Sequence, residues 1–376
     1  MARARGPLRG RVSRVVLVTP YALSAFGGVQ EQALGMSREL TRRGHDVHLV
    51  SPDASDTRAY DTPATIQRFG ARIPIPANGS RAPLTLSPRA AARAARLVER
   101  LSPHVVHLHE PFAPLLGYDI LRARSAPLVG TFHRSGGGPA VRWTRPVLRV
   151  LGHRLDEATA VSEAAATTMG TAAGRTCEIL FNGFETDRFS AIERRTPASP
   201  TLLVVGRLEE RKGVATAVDA LRHHNATASQ PWRLVVLGDG PLRPALESRA
   251  ANDDVVFLGA VDEATKLRWL RSASVLVAPA LRGESFGLVL LEAMAAELPV
   301  VASDIDGYRT AAGGHAILAN PGDPVELAKG VDRALDRSPA ALAAARRHAE
   351  GWSMASLVDR YEEIYERARG RWGVAR

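Results

Sequence analysis

At 376 residues and 45% hydrophobic content, the chain can bury one large core or two medium ones, and two Rossmann-like domains of about 180 residues fit ordinary domain size. Its one cysteine, Cys177, excludes an intramolecular disulfide and any cysteine-based metal site; no run reaches the ~18 apolar residues of a membrane span and no signal-peptide pattern stands at the start, so a reducing cytoplasm is the expected compartment. A net charge of +10 favours phosphates, acidic lipids or nucleic acid, but aromatics are only 5% and no basic patch is interleaved with them, so nucleic acid is not expected.

Residues 1–13 are basic and aperiodic and read as a disordered arm. The first strand is predicted from Val15 to Val18, followed by a loop to Phe26. Gly27-Gly28-Val29-Gln30 then opens a helix to about Arg42, and Val47 to Val50 is the next strand. This order lacks the G-x-G-x-x-G spacing of a dinucleotide site; the glycine pair supplies close approach of backbone to a ligand. Residues 66–86 predict short strands around the polar loop Ala77 to Arg81. Arg89, Arg93, Arg96 and Arg100 follow at helical spacing on one face, with Ala91, Ala94, Leu97, Val98 and Leu101 on the other. Such a helix fits an anionic membrane surface, and equally an ordinary solvated arginine stripe. Strands at Val105 to Leu108 and Leu128 to Thr131 end in His109-Glu110-Pro111 and Phe132-His133. A histidine just past such a strand stands where open α/β sheets bind ligands, although a satisfied structural histidine accounts for either one as well. Strands Ala158 to Val161 and Cys177 to Leu180 complete a first domain over 14–189, and 190–200 is the expected linker.

The second domain, 201–351, opens with a strand from Leu202 to Val205 and then Gly206-Arg207-Leu208-Glu209-Glu210-Arg211-Lys212-Gly213. Strands at Val235 and Val255 follow, then a helix bearing Lys266, one of three lysines with Lys212 and Lys329. The strand Val275 to Ala278 ends at Pro279. Gly283 and Gly287 bracket Glu284-Ser285-Phe286, a helix is predicted from about Phe286 to Ala296, and Val300 to Ala302 is a strand. Free amides and the positive end of the helix dipole collect at that turn, so it can hold a diphosphate. Glu284 and Glu292 cannot contact a phosphate favourably, but both can accept hydrogen bonds from sugar hydroxyls. An anion cradle beside hydroxyl acceptors suits a nucleotide sugar; an ordinary βα loop with two solvated glutamates is the competing account. Ser353 is expected to cap a final helix with Leu357, Tyr361 and Ile364 on one side. No D-x-D pattern stands at a plausible place, so no metal is expected as a requirement, with Mg²⁺ at most an aid.

The segment E-S-F-G, four residues, E-A-M-A (Glu284 to Gly287 and Glu292 to Ala295) resembles the E-x(7)-E signature of retaining nucleotide-sugar glycosyltransferases of glycosyltransferase family 4. That family has the GT-B fold, in which two Rossmann-like domains face a central cleft and a last helix, here within 352–376, crosses back to the first domain. Within the family the chain is most similar to the actinobacterial phosphatidylinositol α-mannosyltransferase branch. The matching pieces are Pro20-Tyr21, Gly27 to Gln30, Pro74 to Ser80, His109 to Pro111, Thr131 to His133, Phe257 to Lys266 and Gly283 to Ala296.

The resemblance implies GDP-mannose as donor, phosphatidylinositol or a related lipid as acceptor, and retention at the anomeric carbon. It further implies a peripheral enzyme on the inner face of the plasma membrane, with Arg89, Arg93, Arg96 and Arg100 at the lipid. Gly28 is then placed against the donor diphosphate and His133 against the donor sugar. Val261, Glu263 and Lys266 align with the nucleobase stretch, Glu284 with sugar hydroxyls and Glu292 with the ribose. Arg207, a bidentate chelator, and Lys212, a point charge, join the backbone at Phe286, Gly287 and Leu288 in stabilising the leaving diphosphate. His133, Arg207, Lys212 and Glu284 form the expected catalytic set, and Tyr21, Gln30, Asn78, Ser80 and Arg81 the acceptor candidates. The chain departs from the branch at several points: Pro83, with Arg81 nearby, stands where the branch carries a basic residue, the basic helix uses arginine for lysine, the Gly-Arg to Arg-Lys-Gly segment is one residue shorter, and Phe184-Glu185 replaces the usual V-D after N-G. Another nucleotide-sugar donor or acceptor is one alternative, and a GT-B nucleotide-sugar epimerase is an alternative of another class.

Overall fold

The computed structural model describes residues 12–24, 27–77, 80–113, 115–134, 139–190, 192–195, 197–284 and 286–374, with backbone alone at 74–77, 80–83, 139–142 and 190. These form two compact units. One holds the residues up to Phe184 together with those from Met354 on, and the other is Glu185–Ser353.

The first unit is built on β1 (Arg14–Val18), β2 (Asp46–Pro52), β3 (Thr65–Phe69), β4 (Ile73–Ala77), β5 (Ser80–Leu84), β6 (Val105–His109), β7 (Leu128–Phe132), β8 (Glu157–Ala160) and β9 (Glu178–Ile179). Seven of these make a parallel sheet in the order β3-β2-β1-β6-β7-β8-β9, while β4 and β5 pair as a separate antiparallel hairpin. Helices cover both faces, so β1 is a continuous Val and Leu run, while β6 and β7 set His107, His109 and Thr131 among their apolar residues on one buried face. Along β1 the side chains alternate between two cores. Val15 and Leu17 meet Met36 and Leu40 of the helix Gly28–Arg42 and Val358, Tyr361 and Ile364 of the long last helix Met354–Val374. Val16 and Val18 meet Ala94 and Val98 of the helix Pro88–Leu101, Ile120 of Leu116–Ala123 and Leu148 of Pro139–Gly152.

The second unit carries β10 (Thr201–Val205), β11 (Arg233–Leu237), β12 (Val255–Gly259), β13 (Val275–Ala278), β14 (Val300–Ser303) and β15 (Ile317–Ala319), parallel in the order β12-β11-β10-β13-β14-β15. Both units are thus doubly wound α/β sheets of Rossmann type. In each, the strand order reverses once, between β1 and β6 and between β10 and β13. The crevice beyond the carboxyl ends at such a reversal is where these sheets bind ligands.

The division falls at Phe184/Glu185, ahead of the stretch 190–200. The cause is local: the Arg271 guanidinium donates to the Ile192 carbonyl at 2.9 Å, tying that segment to the second unit. Met354 donates its N–H to the Phe184 carbonyl at 2.8 Å, so the outgoing and returning chains are hydrogen-bonded to each other. No described helix is long and apolar enough to cross a membrane.

Candidate functional site

In the second unit the loops after β10 and β13 are locked together. The Leu281 N–H donates to the Arg211 carbonyl at 2.8 Å. Gly213 has φ +62, and a Cβ there would run into the Pro279 carbonyl, so only glycine allows this approach. That contact brings Glu284 onto the cations. Its Oε1 meets Lys212 Nζ at 2.7 Å and Arg211 Nη1 at 2.6 Å. Arg211 also donates to the Gly283 carbonyl at 3.2 Å, and its Nε meets Glu209 at 3.0 Å. Glu209 in turn pairs with Arg207 at 3.0 Å. The result is a chain of alternating charge, Arg207–Glu209–Arg211–Glu284–Lys212. Arg207 sits at its open end with a side chain 59% exposed. An exposed pair of this kind is worth at most about 1 kcal/mol, so an incoming diphosphate can take Arg207 from Glu209. Among the described residues both cations on Glu284 meet one oxygen, Oε1, which leaves acceptor capacity on the other. Arg211 is a member the sequence reading passed over, although it stands in the same Arg-Lys-Gly run.

Beside this chain the helix Leu288–Ala295 begins at Gly287 (φ +92) without a capping side chain. It starts later than the expected Phe286, because the left-handed backbone of Gly287 interrupts a helix there; Phe286, just before it, packs against the Trp352 ring, 4.9 Å between centroids. A Cβ at Gly287 would clash with the Tyr308 ring. Burial first, and the Glu284 carboxylate second, push the Tyr308 phenol above its usual range, so it stays neutral behind the turn. Glu292, on the same helix, is bound to Lys266 Nζ at 2.9 Å, and Lys266 also meets Glu263 at 3.1 Å. Burial alone would lower the Lys266 ammonium, but Glu292 and Glu263 hold it above the usual lysine range. Glu263 is exposed at the start of the helix Glu263–Ser272, which also carries Lys266, and Val261 is half-buried two residues before it.

In the first unit, the loops after β1, β6 and β7 carry the corresponding residues. Gly28 is exposed, with open space where a Cβ would go. Gln30 is buried, lies over Gly27 and donates to the Ala22 carbonyl at 3.4 Å, so it shapes the loop. Tyr21 is half-buried, and burial first, then Glu110, raise its phenol while Arg134 opposes them. Glu110 has a left-handed backbone (φ +50), and its carboxylate accepts the N–H groups of His133 and Arg134, both at 2.6 Å. His133 Nε2 stands 3.0 Å from His109 Nδ1, and His109 stacks on His107 with ring centroids 4.5 Å apart. Burial drives His109 down to about 4 and lowers His133 and His107 as well, each helped by its histidine neighbours. All three are neutral at physiological pH, so between His109 and His133 one ring nitrogen donates and the other accepts. Among the described residues His109 Nε2 has no hydrogen-bond partner despite its burial. His107 bonds Thr131 at 2.6 Å and the Tyr365 hydroxyl at 2.8 Å, and Thr131 meets Tyr361 at 2.9 Å.

Of the acceptor candidates, Asn78 lies outside the described residues, and Ser80 and Arg81 sit on β5 opposite Ala77 and Pro76. Arg89, Arg93, Arg96 and Arg100 are exposed on a helix that buries Ala90, Ala91, Ala94 and Val98. Among the described residues no group of three potential metal ligands comes together.

Two family models match the chain: "Glycosyltransferase Family 4" over residues 26–188 and "Glycosyl transferases group 1" over 199–337. A phosphatidyl-myo-inositol mannosyltransferase of Mycobacterium leprae is 36% identical over 303 residues, covering 79% of this chain and 80% of that protein. Its counterpart from Mycobacterium tuberculosis is 33% identical over 378 residues, covering 95% and 97%. Among solved structures, a glycosyltransferase from Rickettsia africae superposes with a TM-score of 0.72 at 16% identity, over 95% of this chain and 98% of that one.

Proposed function

The chain belongs to glycosyltransferase family 4 and is a glycosyltransferase of the GT-B fold, and from that premise we propose that it transfers a mannosyl residue from GDP-mannose to phosphatidylinositol or a related lipid, retaining the anomeric configuration. The observation that carries the donor half is the Arg207–Glu209–Arg211–Glu284–Lys212 chain beside the uncapped turn at Gly287. The acceptor half is supported by the names of relatives that match nearly the whole chain.

In this reading the bond from the anomeric carbon to the diphosphate breaks while the acceptor hydroxyl oxygen attacks the same face. The hydroxyl proton passes to the departing phosphate oxygen. Lys212, Arg207 and the amides at the Gly287–Leu288 turn meet the charge that grows on the diphosphate. The remaining oxygen of Glu284 accepts from the sugar hydroxyls, and Glu292, already positioned by Lys266, accepts from the ribose. Val261 and Glu263 face the base. Neutral His133, held by Glu110 and His109, hydrogen-bonds the transferred sugar without adding a charge. Tyr21, Ser80 and Arg81 belong to the acceptor. No metal is needed where two guanidinium groups and an ammonium gather, and Mg²⁺ is at most an aid. The enzyme works peripherally, at the inner face of the plasma membrane.

The test mixes purified protein with radiolabelled GDP-mannose, UDP-glucose or UDP-N-acetylglucosamine, with and without phosphatidylinositol vesicles, and counts the lipid phase. Label from GDP-mannose into phosphatidylinositol alone is the expected result. Donor hydrolysis without lipid label would overturn the acceptor and give Pro83 its meaning; sugar interconversion without acceptor would make the protein an epimerase. Lys212→Ala should slow transfer by about two orders of magnitude, roughly 3 kcal/mol of transition-state stabilisation. Near-normal turnover in that variant would sink the site.

A further inference from the structure

The helix Pro139–Gly152 holds an apolar stripe out in solvent that the proposed chemistry does not use. Trp143 is 78% exposed, Val147 57% and Val150 64%. Their spacing puts them on one helical line. The helix docks through different residues, Leu148 and Leu151, which are buried in the core shared with Ile120 and Leu155. Exposing a tryptophan and two valines in a row forgoes the burial such side chains usually find, and patches of this kind mark interaction surfaces.

The charge around the stripe narrows the partner. Arg145 and Arg149 stand exposed on the same helix. The helix Pro88–Leu101 lies in the same layer of the first unit, since its Ala94 and Val98 enter the same core, and Leu116–Ala123 packs between the two. Arg89, Arg93, Arg96 and Arg100 are all exposed on it. None of these six arginines makes an ion pair with a described residue. One helical layer therefore presents a Trp–Val stripe and a set of uncompensated guanidinium groups.

We infer that this layer docks on an anionic lipid bilayer, with Trp143, Val147 and Val150 entering the boundary between headgroups and acyl chains and the arginines meeting lipid phosphates. Tryptophan prefers that boundary, and basic residues add attraction to anionic headgroups. A second copy of the chain fits less well, because a two-fold contact would bring the same arginines of both copies together. The inference rests on the reading of the acceptor as a lipid and places a second, apolar anchor beside the arginine stripe.

The test is flotation of the full chain with vesicles of phosphatidylcholine alone or with a minority of phosphatidylglycerol, using no donor and no inositol lipid. Wild type should float with the anionic vesicles, and its fluorescence should be quenched by bromine-labelled acyl chains. Trp143→Ala should lose about tenfold in vesicle affinity, and Trp143→Phe should recover most of it. Because the side chain is exposed, the melting temperature of both variants should match wild type, which separates lost docking from lost folding. Equal flotation of wild type and Trp143→Ala would overturn the proposal. So would a wild-type dimer that Trp143→Ala dissolves while vesicle binding stays the same. Neither readout depends on turnover, so a failed donor panel leaves this result standing, and the reverse.

Discussion

Gly28 separates what a residue does for the fold from what it does for a ligand. Gly213 and Gly287 have positive φ and neighbours that exclude a Cβ, so the protein itself requires glycine at both. Gly28 has neither constraint, and it stands in the first turn of the helix Gly28–Arg42. Alanine in a helix is favoured over glycine by up to about 1 kcal/mol. Gly28→Ala should therefore leave the melting temperature unchanged or raised. If a donor phosphate approaches the backbone there, the added methyl blocks it, and the KM for donor should rise tenfold or more. A variant with unaltered kinetics would remove Gly28 from the site. Gln30 teaches the complementary point: it reads in sequence as a polar acceptor contact beside the glycine pair, yet its amide bonds Ala22 and covers Gly27. Gln30 stands in the first turn of the helix Gly28–Arg42, but its partner Ala22 belongs to the preceding loop, and loop geometry has no periodicity to read.

The last helix, Met354–Val374, is bound into the first unit by a polar ladder as well as by its apolar face. Tyr365 reaches His107, and Tyr361 reaches Thr131 and Thr159. His107 in turn stacks on His109, the partner of His133. A shared sheet core thus supports the histidine proposed to meet the sugar. Its cost appears in acid. His109 falls from an ordinary 6.5 to about 4 through burial. Above 6.5 both folded and unfolded chains keep it neutral and its contribution is unaffected by pH. Between 6.5 and 4 the unfolded chain binds a proton that the folded chain refuses, so stability falls as pH falls. The loss amounts to about 3 kcal/mol for this one group, with His107 and His133 acting in the same direction. Urea midpoints measured from neutral pH to about pH 5 should decline in wild type and decline less in His109→Gln. Parallel slopes would show that the histidine is not held neutral.

These ties also show why some elements are legible in sequence and others are not. The central strands follow from Val- and Leu-rich runs, such as β10 running into Gly206 and β13 into Pro279, and the turn at Gly287 follows from the pair Gly283 and Gly287. The convergence of Arg211 with Glu284 does not, because it depends on the backbone bond between Leu281 and Arg211 and on Gly213 lying against Pro279. The division at Phe184 is hidden for the same reason, since Arg271 captures Ile192 across the second unit. At the scale of the whole molecule the legible quantity is charge: 49 basic against 39 acidic residues. Where the excess sits is not legible. In the second unit arginines are largely spent on partners, as Arg222 on Asp253 at 2.7 Å and Arg249 on Asp219 at 2.6 Å. In the first unit the exposed arginines of the helices Pro88–Leu101 and Pro139–Gly152 make no ion pair with a described residue. Unpaired surface charge acts over a Debye length, about 10 Å at 0.1 M salt and 3 Å at 1 M. In the proposed reading a donor diphosphate is met at hydrogen-bond distance by Lys212, whose side chain is 21% exposed, and such a contact would be screened less. Added salt should therefore raise the KM for phosphatidylinositol in anionic vesicles severalfold while the KM for GDP-mannose changes little. If both constants rose together, the net charge would be serving the nucleotide sugar, and the arginine layer would lose its part in lipid capture. If only the lipid constant rises, and Trp143→Ala steepens that rise, the two anchors act on one bilayer: the arginines bring the enzyme to the surface, and the stripe keeps it there once screening weakens them.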